Sequence, residues 1–417
     1  MTKQGALQIG IIGLGQCGGN FAAEFAAKGY PALALNTSPI DLRALRGLDE
    51  AQRLFIGSTG MNGTGGSLAA GLACVEAERE AIVAAATALP GAEAFLVVGG
   101  LGGGTGACLG AVVQLLSTLE RPVIAWAVLP AGSENHAAKL NALQAVNALL
   151  DAPFESLAFV DNQKLSAAFA NAGIDQYLHE ANAAVVNAFD DLCRLQDRSD
   201  LASLRTFGPE ELRQTLLSGG VSVFGSRTLD GPLTAESLLV AARETLGDAD
   251  LLGGGYDLTD LVTASTIVIA HADVLADTPA TVFEDYYTDL KQETGGAVHH
   301  GGIYQGTEER TRVFFLAGGF PLPSRLGELL KEATEESARF QAKAAPRSKL
   351  KKLDLSSLGG LVPGGAPSAA GLKGKGMVKH RGRAEDAPAK GSEPLVDLDF
   401  DDGEPPVIEE DIGSSES

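Results

Sequence analysis

A chain of 417 residues with 45% hydrophobic and 20% charged side chains is long enough for two packed domains and a tail, each domain with a core of its own. Its formal net charge of -21 excludes a body that wraps duplex DNA over its whole surface, because phosphate backbones need basic faces. The cysteines Cys17, Cys74, Cys108 and Cys193 form no CxxC pair and have no His at metal spacing, which predicts free thiols in a reducing cytoplasm. With no long apolar run and no basic-then-apolar leader in residues 1–7, the expectation is a cytosolic protein.

From residue 7 to about 195, short β-rich apolar runs alternate with Ala-rich helical stretches, each junction marked by Gly. Residues 7–14, 32–35, 94–98, 123–128 and 157–160 read as parallel strands, and the stretches between them are long enough for crossover helices. That is the βαβ pattern of a doubly wound α/β sheet. A long helix is predicted over about 176–195, with Leu178, Val185, Val186, Phe189 and Leu192 at helical spacing. After Gly219-Gly220 a smaller α/β unit follows, with strands expected at 221–224, 265–270, 296–304 and 312–317. Residues 324–344 repeat apolar positions at Leu326, Leu329, Leu330, Ala333, Ser337 and Phe340, a terminal helix. From 346 to 383 the chain is rich in Lys, Arg, Gly, Pro and Ser, and from 385 to 417 in Asp and Glu. Neither stretch has the apolar content to offset ordering entropy, so a disordered tail is predicted. The resulting divisions are 1–175, 176–196, 197–323, 324–345 and 346–417.

Two glycine-rich loops carry the chemistry. Gly13-Leu14-Gly15-Gln16-Cys17-Gly18-Gly19-Asn20 follows the first strand and opens a helix, where backbone N–H groups can approach a phosphate. Alone it also fits a dinucleotide fingerprint, but the second strand ends in Asn36-Thr37-Ser38, without the acidic residue that would hold a ribose. The second loop, Gly99-Gly100-Leu101-Gly102-Gly103-Gly104-Thr105-Gly106-Ala107, is a further anion cradle after a strand, with the Thr105 hydroxyl added. Two cradles on one sheet suit a polyphosphate, and no GxxxxGK[ST] occurs to make a P-loop.

Gly102-Gly103-Gly104-Thr105-Gly106 resembles the signature loop of the tubulin/FtsZ superfamily, and the other nucleotide loops follow in that family's order. Gly15-Gln16-Cys17-Gly18 is similar to its first phosphate loop and Asn36-Thr37 to its second. Residues 57–66 occupy the place of the loop that senses the γ-phosphate, and residues 130–134 that of the ribose loop, with Glu134 at its acidic position. Asp161-Asn162-Gln163-Lys164-Leu165 resembles the segment whose Asn reads guanine, and Asn182 falls at the second guanine-reading Asn. The resemblance covers about residues 7–344. Within the family, Gly318-Gly319-Phe320-Pro321-Leu322-Pro323 and Val160-Asp161-Asn162 look most like TubZ, the filament protein of plasmid and phage segregation.

The resemblance implies a GTP-binding domain over 1–175, a central helix over 176–196, an activation domain over 197–323, and a protein that polymerises head to tail. Implied nucleotide contacts are Gly15, Gln16, Cys17, Gly18, Asn20, Asn36, Gly102, Gly103, Gly104, Thr105, Gly106, Glu134, Asn162, Leu178 and Asn182. Mg2+ would lie among the phosphate oxygens with no direct protein ligand assigned, and the resemblance to tubulin implies Gln16 as a metal-water or phosphate contact. In this family the carboxylate that polarises water for hydrolysis reaches the nucleotide of the next subunit. Here that segment is Thr206-Phe207-Gly208-Pro209-Glu210-Glu211, which implies Glu211 as the catalytic acid with Glu210 as second choice, and places Gly208 where another acid would stand. The stacking aromatic of the family falls at Leu178, between Tyr177 and His179, and the FtsZ arginine that follows the ribose Glu falls at Ala138, next to Lys139.

A GTPase resembling TubZ, moving DNA through an adaptor, is thus the leading expectation. A GTP-binding scaffold with little turnover, a division protein like FtsZ and a Rossmann oxidoreductase stand behind it. The basic run from Lys343 to Arg383 suits DNA, an adaptor, anionic lipid or a solvated linker. Leu395-Val396-Asp397-Leu398-Asp399-Phe400 has the look of a short recognition motif.

Overall fold

The computed structural model describes residues 7–173, 176–195, 198 and 200–344. They belong to one compact unit, Met1–Arg347; the tail predicted over 346–417 lies outside the described residues.

Eleven strands form one sheet: β1 (Ile9–Leu14), β2 (Ala32–Asn36), β3 (Arg53–Phe55), β4 (Ala94–Gly100), β5 (Val123–Leu129), β6 (Ser156–Asp161), β7 (Ala202–Arg205), β8 (Val221–Leu229), β9 (Thr263–His271), β10 (Val298–Gly306) and β11 (Thr311–Phe320), in the order β3-β2-β1-β4-β5-β6-β8-β11-β9-β10-β7. β1 to β6 run parallel, with Ile11 opposite Ala32 on one side and opposite Leu96 on the other. Every residue of β1, β2, β5 and β6 is buried, as expected of parallel strands covered on both faces. β6 meets β8 at Leu157 opposite Val221, so the two halves that the sequence separates share a continuous sheet. Beyond that seam the pairing turns antiparallel, β8 with β11 and β11 with β9.

The chain leaves β1 toward β2 and β3, then returns to place β4 on β1's other side. This reversal is the switch point of an open α/β sheet, where a crevice forms at the C-terminal ends of the strands.

The central helix, Tyr177–Cys193, buries Val185, Val186, Phe189 and Leu192. Phe189 packs edge-on against Phe25 of the first helix, Gly15–Ala27, at 6.2 Å between ring centroids and against Trp126 of β5 at 5.1 Å, while Phe224 of β8 stacks on Trp126 at 5.3 Å. Aromatic pairs of this geometry add to the area they bury, and this cluster ties the first half of the sheet to the second. The terminal helix, Ser324–Ala344, turns Leu326, Leu329 and Ala333 inward and leaves Leu330 and Phe340 exposed.

The strands β3 and β7, of three and four residues, have no counterpart in the sequence reading. Both are edge strands, and all four residues of β7 are exposed, so neither carries the apolar run that marks the others. After the second glycine loop come a 3-10 turn, Gly106–Cys108, a helix, Leu109–Leu116, and a second 3-10 turn, Ser117–Leu119.

Candidate functional site

At the switch point a cavity of about 330 Å³ is walled by Gly15, Gln16 and Cys17, by the glycine loop 102–106, and by Asn36, Thr37, Asp41, Thr64, Glu134 and Asn162. Gly15, Gln16 and Cys17 are the first residues of their helix, whose first-turn N–H groups have no intrahelical partners and whose end favours an anion. Gly15 takes φ +67 and stands so close to the second loop that a Cβ would come 3.2 Å from the Gly106 nitrogen, which places the two cradles side by side. A Cβ at Gly104 would lie 2.1 Å from Thr64 Oγ1 and 2.6 Å from the Ser67 carbonyl oxygen, so only glycine lets residues 57–66 close over that cradle.

Side chains lock these loops together. The hydroxyls of Thr37 and Thr105 are 2.7 Å apart. Gly63 N–H donates to the Thr37 carbonyl at 2.9 Å, and Ser38 Oγ donates to Asn62 Oδ1 at 3.0 Å. Asn141 Nδ2 donates to the carbonyls of Gly66 at 2.8 Å and Gly102 at 3.2 Å, bridging two walls. Asn36 is 3% exposed and its Nδ2 has no partner, a buried donor that a ligand would satisfy. Burial, with the charge of Glu134 adding, pushes the Cys17 thiol up to about 12; at neutral pH it is an uncharged thiol and not a nucleophile.

Glu134 Oε1 accepts from Ala131 N–H at 3.0 Å, which holds its carboxylate at the cavity wall. Asn162 opens a helix capped by Asp161, whose Oδ1 accepts from Gln163 N–H at 2.8 Å. Burial raises the Asp161 carboxyl above its ordinary value, against that hydrogen bond and the charges of Arg325 and Lys164.

A second cavity, of about 750 Å³, shares Gln16 and Asp41 with the first and adds Asn20, Glu24, Leu178, His179 and Asn182. Asn182 is 6% exposed. Tyr177 bonds Ser166 through its hydroxyl at 3.0 Å, whereas Leu178 and His179 line the cavity and His179 pairs with Glu24. One cavity walled by glycine N–H groups and an adjoining one edged by amides can hold a polyphosphate and a base.

The other expected residues lie apart. Gly18 is not in either wall; its missing side chain lets the first helix pack on the Val98 carbonyl, which a Cβ would meet at 2.2 Å. Glu210 and Glu211 start the helix Pro209–Leu216 and line neither cavity. Glu211 Oε2 accepts from the N-cap Gly208 N–H at 3.0 Å, while exposed Glu210 accepts from Gln214 at 3.0 Å. Lys139 lines neither cavity and is buried against the terminal helix. Among the described residues no group of three or more His, Cys, Asp or Glu could hold a metal ion, and His299 Nε2 pairs with Thr294 Oγ1 at 2.9 Å. Asp41 and Asn141 have no counterpart among the sequence expectations, and Thr64 only as part of the run 57–66; a polar residue four positions past Asn36-Thr37 is the only signal for Asp41.

Known proteins resemble this arrangement. Residues 8–170 match the tubulin/FtsZ family, GTPase domain. Tubulin-like protein CetZ2 of Haloferax volcanii is 25% identical over 367 residues, which span 84% of this chain and 99% of CetZ2. Among solved structures, a GTPγS-form protofilament of TubZ from Bacillus thuringiensis serovar israelensis superposes with a TM-score of 0.70 at 17% identity, covering 81% of this chain and 93% of that one. A GTPγS-bound protofilament of CetZ2 from Haloferax volcanii does so at 0.65 and 22%, covering 80% and 99%. At these identities the likeness speaks to the fold, which is that of tubulin and FtsZ. No helix among the described residues is long and apolar enough to cross a membrane.

Proposed function

We propose, from the premise that residues 8–170 match the tubulin/FtsZ-family GTPase domain, that this chain binds GTP, assembles head to tail into cytoplasmic filaments and hydrolyses GTP across the contact between subunits. The observation that carries the proposal is the pair of adjoining cavities at the strand switch point, one lined by the glycines of two loops and the other by Asn20 and Asn182.

The phosphates lie against the first-turn N–H groups of residues 15–17 and the loop 102–106, with the Thr105 hydroxyl as a further donor. Asn162 and Asn182 offer amide donors and acceptors to the guanine edge, a pattern that leaves adenine unsatisfied. No Lys or Arg is among the residues lining the phosphate cavity, and Asp41 and Glu134 add negative charge there. That charge balance fits Mg2+, which would be held chiefly by phosphate oxygens, with Gln16 and Asp41 of the cavity wall as its candidate protein contacts. When bound, the ion neutralises phosphate charge as it develops.

Hydrolysis needs a group to position and polarise water, usually a carboxylate. Glu211 of the adjacent subunit supplies it: the Gly208 N–H fixes Oε2, which leaves Oε1 for water. Glu210 is the alternative. Gly208 itself has no side chain to contribute, which favours, as a second reading, a GTP-binding polymer with little turnover. For cargo, we favour DNA segregation through an adaptor at the tail, with a division role like that of FtsZ as the alternative. Equilibrium binding of labelled GTPγS and ATPγS tests the core of the reading. It predicts GTPγS bound at least tenfold more tightly; equal affinities would overturn guanine selection.

A further inference from the structure

Lys139 is a fully buried lysine outside the cavity walls, and such a residue persists only with countercharge. Its Nζ donates to Glu336 Oε1 at 2.5 Å, lies 3.1 Å from Glu332 Oε2 and donates to the Gly132 carbonyl at 2.8 Å. Both carboxylates sit on the terminal helix. Gly132 belongs to the segment whose Pro130 and Glu134 line the phosphate cavity. Its N–H donates to Gln163 Oε1 at 2.7 Å, and Gln163 is the neighbour of Asn162. The peptide at Gly132 is thus gripped on its N–H by the base-reading segment and on its carbonyl by Lys139.

Within the terminal helix a second cation orients one of these carboxylates. Arg325, with 7% of its side chain exposed, donates to Glu332 Oε1 at 2.6 Å and lies 3.3 Å from Glu328, while its charge also acts on Asp161, the cap of the Asn162 helix. Farther along, the Phe340 ring lies 4.4 Å from that of His136, in the helix that carries Lys139. Withdrawing the terminal helix would leave the Lys139 ammonium buried without its carboxylates, and it would have to turn out to water and release Gly132.

We propose that Lys139 is a positioning residue that holds segment 130–134 in its nucleotide-binding form only while the terminal helix is docked, so that helix docking and GTP binding strengthen each other. The inference rests on the reading of the cavity as a GTP site. Linkage makes the coupling reciprocal: a docked helix tightens the nucleotide, and the nucleotide protects the helix.

The test uses the full chain in three forms: unaltered, Lys139→Met, and Glu332→Gln with Glu336→Gln. The second variant leaves Lys139 and every cavity residue in place and guards against a Lys139→Met protein that fails to fold. GTPγS affinity is measured on folded protein well below its thermal midpoint, together with hydrogen exchange over residues 324–340 with and without GTPγS. GTPγS is expected to slow that exchange several-fold in the unaltered chain, and the double Gln variant to bind GTPγS about tenfold more weakly with the exchange response lost. Unchanged affinity in the double Gln variant, or helix exchange indifferent to GTPγS in the unaltered chain, overturns the coupling. An unaltered chain that binds no GTPγS overturns instead the GTP-site reading beneath it.

Discussion

Single residues separate chemistry from scaffolding most sharply at Glu211, which caps its own helix and is also assigned to the water. Glu211→Gln keeps an oxygen to accept from Gly208 N–H but cannot take a proton at neutral pH. It is expected to leave stability and GTP binding near normal and to lower phosphate release at least a hundredfold; full turnover in that variant would move the role to Glu210 or elsewhere. At Gly104 the problem is space. Gly104→Ala drives a Cβ into Thr64 and the Ser67 carbonyl, and GTPγS titration should show binding weakened more than tenfold as residues 57–66 are pushed away. His299 governs acid sensitivity: burial, then the charges of His300 and Lys291, lower its imidazole from 6.5 to about 4. Between those values the unfolded chain takes up a proton that the folded chain refuses, so stability falls as pH drops from about 6.5 toward 4. Thermal midpoints across that range should fall less steeply in His299→Gln. Gly15, Gly102, Gly103, Gly104 and Gly106, which line one cavity, stand out in the sequence because a backbone cradle between strand and helix demands glycine, whereas Asn36, Asn162 and Asn182 are singled out only by the family resemblance. Asn141 and Lys139 could not, since what each bonds, Gly66 with Gly102 or Glu332 with Glu336, is brought to it by the fold.

Among the elements, the buried parallel strands and the two long helices follow from their apolar patterns. The central helix expected near 176–196 spans Tyr177–Cys193, and the terminal helix spans Ser324–Ala344. Edges were harder: β3 and β7 exist because β2 and β10 have open sides to pair, not because their own residues form an apolar run. The role of the central helix as a bolt between halves was equally hidden, because Phe25, Trp126, Phe189 and Phe224 lie far apart in sequence. Phe189→Ala empties the middle of that cluster and should lower unfolding free energy by about 3–5 kcal/mol, read from denaturant midpoints at unchanged slope. The terminal helix should also weaken in acid. Arg325, then Lys139, hold the Glu332 carboxyl below its ordinary 4.5 although burial opposes them; the stability this provides is present above that value and lost as pH falls through the folded-state pKa.

For the whole molecule, the sequence separates two α/β units, and the structure joins them in one eleven-stranded sheet at Leu157 and Val221. Pairing between strands so distant in the chain leaves no local trace. The same architecture sets the two cavities at the switch point and Glu210 and Glu211 on the second half, outside both cavity walls. On the proposed reading one chain binds GTP and a second completes the hydrolytic site. Phosphate release per subunit, measured against protein concentration with pelleted polymer quantified in the same samples, tests that division of labour most directly. The rate per subunit is predicted to be near background in dilute solution and to rise in step with polymer. A substantial rate per subunit that stays constant while polymer appears would contradict a site shared between subunits.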